Sequence, residues 1–354
     1  MRASRILSSS SIVIQPNVFS KGAIPAPIAS LNSRLEAAAA STPLLSSSSP
    51  KAAREERAKL FQHEMRRKDL RIPPDRADGG VGVSYFVPKV KPRAAYLHLH
   101  GGGFIMGSAF GQNDARLQQM ADDLQMSVLS VDYSLAPDHR WPRPLDDCVE
   151  VALWLAENGR SFLGTETFVV GGESAGAHLC VSMMIRLRQE ARVRSNAALE
   201  PSALFRCANL VYGWYDLAGT PSMLAFDRRL VFCRQELQWA AEQLVPDANL
   251  RARRAGPEAG GVSPLYSDLR GLPPALFTVG TEDPLCDDTL FMAARWAAHG
   301  MPAELEIYPG AAHGVGHFGP HQHTEQGKQI NARVNNYLNE WIQSNEVEES
   351  RSDT

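Results

Sequence analysis

The chain has 354 residues, 44% hydrophobic and 21% charged, which suffices for one large domain or two ordinary ones and excludes a disordered chain. Its 36 Lys and Arg residues nearly balance 39 Asp and Glu residues, and the formal charge of -3 excludes a strongly basic surface for nucleic acid. No stretch approaches about 18 uninterrupted apolar residues, so we expect no transmembrane segment. The five cysteines form no C-x-x-C pair, a pattern typical of free thiols in the reducing cytoplasm.

The N-terminal region, residues 1–78, differs in composition from the rest of the chain. Residues 1–35 contain no Asp or Glu and are rich in Ser, which is typical of an organelle transit peptide, although so short a window can lack acids by chance. Organelle targeting and a simple N-terminal arm are both open interpretations. Over residues 28–70 the pattern predicts cap helices, the last of which is charged and runs to Asp69 before Pro73-Pro74.

After residue 79, short β-rich runs alternate with helical patterns. The predicted strands are Val83–Val87, Ala94–His100, Ser127–Tyr133, Thr167–Val170, Leu204–Tyr212, Ala275–Val279 and Ala303–Tyr308. The predicted helices are Ala115–Leu124, Pro144–Leu155, Ala175–Arg188, Asp287–His299 and Gln329–Ile342. This alternation predicts an α/β fold with a mostly parallel central sheet and helices on both faces. We assign 79–345 to the main domain, with a helical cap insertion at about 215–262, and 346–354 to a frayed polar tail.

The sharpest local motif is Gly172-Glu173-Ser174-Ala175-Gly176, a G-x-S-x-G pattern where a predicted strand meets a predicted helix. A sharp strand-to-helix turn strains the central residue and projects its side chain, and a Cβ at either glycine would collide with the neighbouring strand or helix. The helix N-terminus also brings backbone N–H groups beside Ser174. The pattern is typical of a nucleophilic serine, with an ordinary helix cap as the alternative.

A glycine triplet, Gly101-Gly102-Gly103, follows the predicted strand that contains His98 and His100. Three successive glycines can turn their N–H groups toward one point, where such donors bind the oxyanion that forms when a hydroxyl attacks an acyl carbon. A phosphate loop is the alternative, but neither G-x-G-x-x-G nor a G-K-[ST] ending is present. For the two histidines we expect packing and hydrogen bonds that anchor the loop.

Candidate partners for Ser174 follow two later predicted strands. Asp283 comes directly after one strand and His313 directly after the next, so both lie at the sheet edge where open α/β folds build their sites. The order Ser, Asp, His along the chain is the one expected of an α/β-hydrolase. The competing acids are Glu282, Asp287 and Asp288. We prefer Asp283, because the two later aspartates fall where a helix N-cap is expected.

His313 also opens a series of histidines that could indicate a metal site. The series is His313, His317, His321 and His323. Intervening Gly and Pro residues disfavour presentation on one helix face, and no carboxylate is spaced among the histidines. We therefore expect neither a metal nor an organic cofactor.

In combination, these motifs resemble the hormone-sensitive-lipase-like family of α/β-hydrolase carboxylesterases, and the chain is most similar to the acetyl esterases and arylacetamide deacetylases of that family. The resemblance covers about Ala94 to Trp341. Its motifs are His100-Gly101-Gly102-Gly103, Val131-Asp132-Tyr133-Ser134-Leu135-Ala136-Pro137-Asp138, Gly172-Glu173-Ser174-Ala175-Gly176, Asp283-Pro284-Leu285 and His313-Gly314. It implies an α/β-hydrolase fold with a helical cap.

The resemblance also implies roles for individual residues. Ser174 would be the nucleophile, His313 the general base and acid, and Asp283 its partner. Gly102, Gly103 and Ala175 would donate the N–H groups of the oxyanion hole. The chain departs from the family pattern at three positions, with Glu173 in place of the usual Asp or Thr, Asp138 in place of the usual Glu, and Val315 in place of the usual Phe. We expect the longer carboxylate of Glu173 to alter the pH optimum.

The resemblance implies a serine esterase that acts on short-chain, acetyl-like esters through a covalent acyl-enzyme, with a small-molecule ester as its partner. An amidase or deacetylase of the same fold is one alternative, because the acyl-transfer machinery is shared. A non-catalytic small-molecule receptor is another, but a plant hormone receptor similar to this family loses the histidine that His313 supplies here. Aromatic residues of the predicted cap would favour short acyl groups or merely hold the cap together. These aromatic residues are Trp214, Tyr215, Phe226, Phe232 and Trp239. The oligomeric state is open, with a homodimer as one interpretation.

Overall fold

One eight-stranded sheet organises the residues that the computed structural model describes, which are 12–58, 67–73, 79–252, 262–317 and 323–352. The strands are β1 (Arg67–Ile72), β2 (Val81–Phe86), β3 (Ala94–Leu99), β4 (Met126–Asp132), β5 (Phe168–Glu173), β6 (Ala208–Val211), β7 (Ala275–Glu282) and β8 (Ala303–Ala312). Their order is β1-β2-β4-β3-β5-β6-β7-β8. The pairs β1-β2 and β2-β4 are antiparallel and the others parallel, which confirms the predicted mostly parallel sheet.

Helices cover both faces of this sheet. In the described ranges they are α1 (Ala26–Ala40), α2 (Pro50–Ala58), α3 (Asp114–Leu124), α4 (Arg143–Leu163), α5 (Ala175–Arg194), α6 (Pro201–Leu204), α7 (Pro221–Ala225), α8 (Arg234–Leu244), α9 (Ala248–Ala252), α10 (Cys286–Ala298) and α11 (Glu325–Ser352). Successive side chains of a strand point to opposite faces. In β3, Leu97 and Leu99 join the apolar cluster of α4 and α5, whereas Tyr96 joins that of α3 and α11.

The segment before Pro73 is a strand, so the predicted helix that runs to Asp69 is wrong at its end. In β1, Leu70 pairs with Val83 and Ile72 pairs with Val81 in antiparallel register. The i, i+2 spacing puts both apolar side chains on one face, where they pack against the core. This burial outweighs the helix propensity of the charged neighbours. Residues 59–66 of that predicted helix, and Pro74, lie outside the described residues.

Two further elements differ from the sequence prediction at their ends. The predicted strand Leu204–Tyr212 is shorter, because Pro201 begins α6 and β6 spans only Ala208–Val211. Proline favours the first turn of a helix, where its missing N–H has no partner to lose. The segment 346–354 of the predicted frayed tail overlaps α11, which continues to Ser352. No glycine or proline follows Gly327, so the sequence contains nothing that stops the helix.

The N-terminal arm and the insertion between β6 and β7 contact each other and the sheet. Asn32 of α1 donates a hydrogen bond from Nδ2 to the Gly310 carbonyl oxygen in β8, at 2.8 Å. Arg228 of the insertion donates to Glu36 of α1 at 2.7 Å and to Glu282 of β7 at 2.5 Å. The described part of the insertion is helical, as predicted, and contains α7, α8 and α9.

Parts of several predicted features lie outside the described residues. These parts are residues 1–11 of the predicted targeting segment, 253–261 of the predicted insertion, and His321 of the histidine series. In the ranges that the structure describes, no helix combines the length and the apolar character that crossing a bilayer requires.

Candidate active site

Ser174 lies on a sharp turn between β5 and α5. Its φ is 56° and its ψ is -118°, in the left-handed region that side-chain-bearing residues rarely adopt. A Cβ built on Gly172 would lie 2.3 Å from the carbonyl oxygen of Leu99, and one on Gly176 would lie 1.9 Å from the same oxygen. The strained turn and the steric need for both glycines are confirmed as the G-x-S-x-G pattern predicts.

The side chains of Ser174, His313 and Asp283 form a continuous hydrogen-bonded chain. Ser174 Oγ lies 3.0 Å from His313 Nε2, and His313 Nδ1 lies 2.9 Å from Asp283 Oδ2. All three residues are at most 5% exposed. Asp283 follows β7 and His313 follows β8, and the parallel pairing of these strands brings both loops to one edge of the sheet. Because the carboxylate holds the proton on Nδ1, Nε2 presents its lone pair to the serine hydroxyl.

The acids that compete with Asp283 in the sequence have other partners. Glu282 accepts from Arg228, while Asp287 and Asp288 accept hydrogen bonds from backbone N–H groups of the insertion. Burial raises the pKa of Asp288 to about 7, even though its hydrogen bonds act in the opposite direction. Of these four carboxylates, it is Asp283 that hydrogen-bonds to the imidazole.

The glycine triplet after β3 brings unpaired backbone donors close to Ser174. Gly102 and Ser174 both line one cavity. Gly103 directly follows Gly102 in the chain, and Ala175 directly follows Ser174. Gly102 has a φ of 142°, and a Cβ there would lie 1.9 Å from the Met106 carbonyl oxygen, so the turn requires glycine. Among the described residues, none accepts a hydrogen bond from the backbone N–H of Gly102, Gly103 or Ala175. The assignment of these three N–H groups to an oxyanion hole stays a prediction.

A cavity of about 30 Å³ opens beside Ser174, with room for about two water-sized groups. Part of its lining is aromatic. The Tyr212 ring lies 4.7 Å from the His313 ring, and the Phe232 ring lies 5.6 Å from it. The lining also includes polar side chains from Gln112, Asn113, Glu173 and His317.

Of the aromatic residues predicted to form the cap walls, Phe232 reaches this cavity. Trp214 and Tyr215 are buried in the main apolar core instead. Tyr212 also lines the cavity, and sequence reasoning missed it. Tyr212 stands at the carboxyl end of a strand in a parallel sheet, and this position could have indicated it as a site residue, just as it indicated Asp283 and His313.

Glu173, directly before Ser174, is a buried carboxylate with charged partners. Its Oε1 accepts a hydrogen bond from Arg116 Nη2 at 2.6 Å, and its Oε2 accepts one from His98 Nε2 at 3.0 Å. Burial alone would raise the pKa of this carboxyl, but the charges of His98 and Arg116 more than offset burial and hold the pKa well below its ordinary value. Glu173 is therefore ionised across the neutral range, and its influence on the pH optimum stays a prediction.

His98 and His100 have structural partners, which confirms the sequence-based expectation. His98 Nδ1 lies 2.8 Å from Ser130 Oγ, and its other nitrogen donates to Glu173. His100 Nδ1 lies 3.0 Å from the Gly101 carbonyl oxygen, and burial lowers the pKa of His100 to about 4. His98 therefore connects β3 to β4 and to the end of β5, and His100 contacts the first residue of the glycine triplet.

Two members of the histidine series contact the same aromatic ring. His317 packs edge-on against Tyr212 at 5.8 Å between ring centroids, and the His313 ring lies 4.7 Å from the same ring. Within the described ranges, no group of three or more His, Cys, Asp or Glu side chains is arranged to hold a metal ion.

The sheet, the strained serine turn and the Ser-His-Asp chain together define the class of the protein. A family model described as alpha/beta hydrolase fold matches residues 96–317, more than half of the chain, and the chain belongs to this family. The match confirms the resemblance to hormone-sensitive-lipase-like α/β-hydrolases that the sequence motifs carry.

Individual relatives agree with this family. The chain is 30% identical to an esterase of Acinetobacter venetianus over 216 residues, which cover 60% of this chain and 65% of that relative, just under two thirds of its length. A hyperthermophilic esterase from the archaeon Pyrobaculum calidifontis has a TM-score of 0.75 at 25% identity, covering 90% of this chain and 98% of that one. A thermostable esterase from Pseudomonas putida shares the fold, with a TM-score of 0.74 at 21% identity over 88% and 96% of the two chains.

Proposed function

We propose that the protein is a serine carboxylester hydrolase that acts on short-chain acyl esters through a covalent acyl-enzyme. The observation that carries this proposal is the buried hydrogen-bonded chain from Ser174 Oγ through His313 to Asp283. An imidazole whose Nδ1–H is held by a carboxylate can take a proton at Nε2 and so activate the serine. The names of the similar proteins, which are esterases, support the same reaction class.

Acylation begins when Ser174 Oγ attacks the ester carbonyl carbon and its proton passes to His313 Nε2. The carbonyl electron pair moves onto oxygen, and we assign the N–H groups of Gly102, Gly103 and Ala175 to this oxyanion. When the tetrahedral intermediate collapses, the bond to the leaving oxygen breaks and His313 gives that oxygen its proton. An alcohol leaves, and the acyl group remains esterified to the serine.

Deacylation repeats these steps with water as the nucleophile. His313 takes a proton from the water as its oxygen attacks the acyl carbon, and then returns the proton to Ser174 Oγ as the acyl bond breaks. A carboxylic acid leaves and the free serine is restored. Asp283 holds the imidazole through its Nδ1–H and stabilises the imidazolium that forms twice in each cycle.

The preference for short acyl groups rests on the cavity beside Ser174. The small volume of this cavity, about 30 Å³, supports a preference for small acyl groups. Phe232, which packs against His313, limits the cavity on the side of the insertion. We propose on this basis that the N-terminal arm and the insertion at 215–262 act as a cap over the site.

The five cysteines are all free and four of them are buried, which supports a reducing compartment such as the cytoplasm.

The test is hydrolysis of a short acyl nitrophenyl ester by Ser174→Ala protein, which should lose at least about 1000-fold in kcat. Ser182→Ala is the matched control, because Ser182 is a buried serine of α5, the helix that begins directly after Ser174, and its hydroxyl has no hydrogen-bond partner among the described residues. The control should keep wild-type turnover. Full turnover by Ser174→Ala protein would contradict the proposed nucleophile.

Two measurements separate this function from its alternatives. An activated serine should react stoichiometrically with an organophosphonate at Ser174, whereas a receptor with an unactivated serine should stay unlabelled. Rates on esters and anilides with the same acyl group separate an esterase from an amidase, because only the leaving group differs. We expect the ester to be hydrolysed faster.

A further inference from the structure

His317 is a buried histidine of the cavity that the proposed reaction does not use. It is 5% exposed and lines the same cavity as Ser174 and Glu173. Its Nδ1 lies 3.1 Å from the carbonyl oxygen of Val315, and because a carbonyl can only accept, the ring proton is on Nδ1. Nε2 therefore carries a lone pair, and no residue in the described ranges makes a hydrogen bond to it.

A second hydrogen-bond acceptor lies near His317 Nε2. Glu173 Oε1 lies 3.9 Å from His317 Nε2, which is beyond hydrogen-bond distance. Burial, and after it the charge of Arg116, lowers the pKa of His317 to about 3, so the neutral ring does not donate to the carboxylate. The two atoms are thus a pair of acceptors, and one oxygen or nitrogen donor placed between them could lie at about 2.8 Å from each.

The chemistry of this pair specifies what fits between them. An apolar group would leave His317 Nε2 desolvated and without a partner, which is unfavourable for any bound molecule that places it there. A cation is also unfavourable, because Arg116 already donates to Glu173 Oε1 at 2.6 Å. A neutral hydroxyl or N–H group can donate its proton to His317 Nε2, or share it with Glu173 Oε1, without bringing a second positive charge to the carboxylate.

We propose that His317 Nε2 and Glu173 Oε1 form a subsite that selects esters with a hydroxyl or neutral N–H group close to the scissile carbonyl. This inference rests on the proposed hydrolase function, because the subsite shares its cavity with Ser174. The small volume of the cavity restricts the donor to a group such as hydroxymethyl. The donor can belong to the acyl group or to the alcohol, and both sources present the same chemistry.

The test compares pairs of esters that differ only in replacement of a methyl group by a hydroxyl. On the acyl side the pair is phenyl hydroxyacetate and phenyl propionate, and on the alcohol side it is 2-hydroxyethyl acetate and propyl acetate. Each kcat/KM is divided by the rate constant for hydroxide hydrolysis, which removes the intrinsic reactivity of the ester. For one of the two pairs, wild-type protein should prefer the hydroxyl member by about tenfold, and the pair that responds identifies the side.

Variants at position 317 connect the preference to the subsite. The ratio should fall to about one in His317→Leu protein, which has no acceptor there, and should persist in His317→Gln protein, whose amide oxygen can accept. His139→Leu is the control, because His139 is an exposed histidine, and it should keep the wild-type ratio. Ratios within one protein cancel any loss of activity that both esters share.

The outcomes distinguish the subsite from the underlying activity. The decisive quantity is the ratio of kcat/KM for the hydroxyl ester to kcat/KM for the methyl ester, after division by the hydroxide rate constants. If this ratio is near one for both pairs in wild-type protein, the proposed subsite is wrong, whatever the variants do. An unchanged ratio in folded His317→Leu protein overturns it as well. Failure of the proposed function has a different signature, since wild-type protein would then hydrolyse none of the four esters or Ser174→Ala protein would hydrolyse them as fast as wild type.

Discussion

Arg228 Nη1 lies 2.5 Å from Glu282 Oε2, so an arginine of the insertion holds the residue directly before Asp283. The same guanidinium donates two hydrogen bonds to Glu36 of α1, at 2.7 and 2.9 Å. The hydrogen bond to Glu36 is the main reason why the pKa of Arg228 is raised above its ordinary value. One side chain therefore joins the N-terminal arm, the insertion and the loop that presents Asp283.

Arg228→Ala should lower both stability and activity. Loss of three partly buried charged hydrogen bonds should reduce the free energy of unfolding by about 1–2 kcal/mol, and kcat should fall severalfold as the Asp283 loop loosens. Urea unfolding and ester hydrolysis measure the two effects. Arg194→Ala is the control, because its ion pairs with Glu157 and Glu190 lie at the surface and should contribute less than about 0.5 kcal/mol. Equal effects of the two variants would contradict a joining role for Arg228.

Alanine substitutions in the glycine triplet should differ in severity. Gly102→Ala places a Cβ 1.9 Å from the Met106 carbonyl oxygen, so the loop must move, and we expect kcat to fall at least about 100-fold. Gly103→Ala meets nothing closer than 3.6 Å but has a φ of 61°, and we expect a loss of about tenfold. Steady-state kinetics on a short acyl ester measures both losses. Gly22→Ala, with no atom within 4 Å, should change nothing, and wild-type kcat in Gly102→Ala protein would refute the assigned donor.

Phe232→Ala should move the acyl preference toward longer chains. Removing the ring beside His313 enlarges the cavity on the side of the insertion, so the ratio of kcat/KM for butyryl over acetyl esters should rise about fivefold. A chain-length series on one alcohol measures the ratio. Phe162→Ala should leave it unchanged, because Phe162 is 46% exposed and lies outside the cavity lining. An unchanged ratio in Phe232→Ala protein would show that another residue limits the chain.

Asp288→Asn should change how stability depends on pH. Burial raises the pKa of Asp288 from 3.8 to about 7, so between these values the folded state holds a proton that the unfolded state has lost. Stability from this group is therefore present below about pH 4 and decreases as pH rises to about 7. The free energy of unfolding of the variant minus that of the wild type should be larger at pH 8 than at pH 5 by at least about 1 kcal/mol, because only the wild type loses stability from this group as pH rises. Urea titrations at both pH values measure this, and an equal difference at both would contradict the raised pKa.

Local patterns predicted the features that depend on neighbours in the chain. Gly172 and Gly176 are fixed by one turn, and Asp283 and His313 follow buried strands whose apolar runs are easily recognised. Once the strands are parallel, their carboxyl ends must meet at one edge, so the juxtaposition with Ser174 follows from topology. These parts of the site could be predicted before any coordinates.

The polar half of the cavity could not be predicted in the same way. Arg116 lies on α3, 57 positions before Glu173, and nothing near it in the sequence indicates a buried ion pair. The strand β1 was missed for a related reason, since Leu70 and Ile72 become apolar contacts only when β2 is beside them. Such features depend on partners distant in the chain, and local propensity carries no information about them.

The two antiparallel strands at the edge of the sheet give the molecule a face for attachment to a support. Neither β1 nor β2 contributes a residue to the cavity lining, and three strands stand between β1 and β5, a lateral distance of about 19 Å. Lys68 of β1 is exposed, whereas none of the five natural thiols is. Lys68→Cys would therefore provide a handle for immobilisation at a distance from the residues that line the cavity.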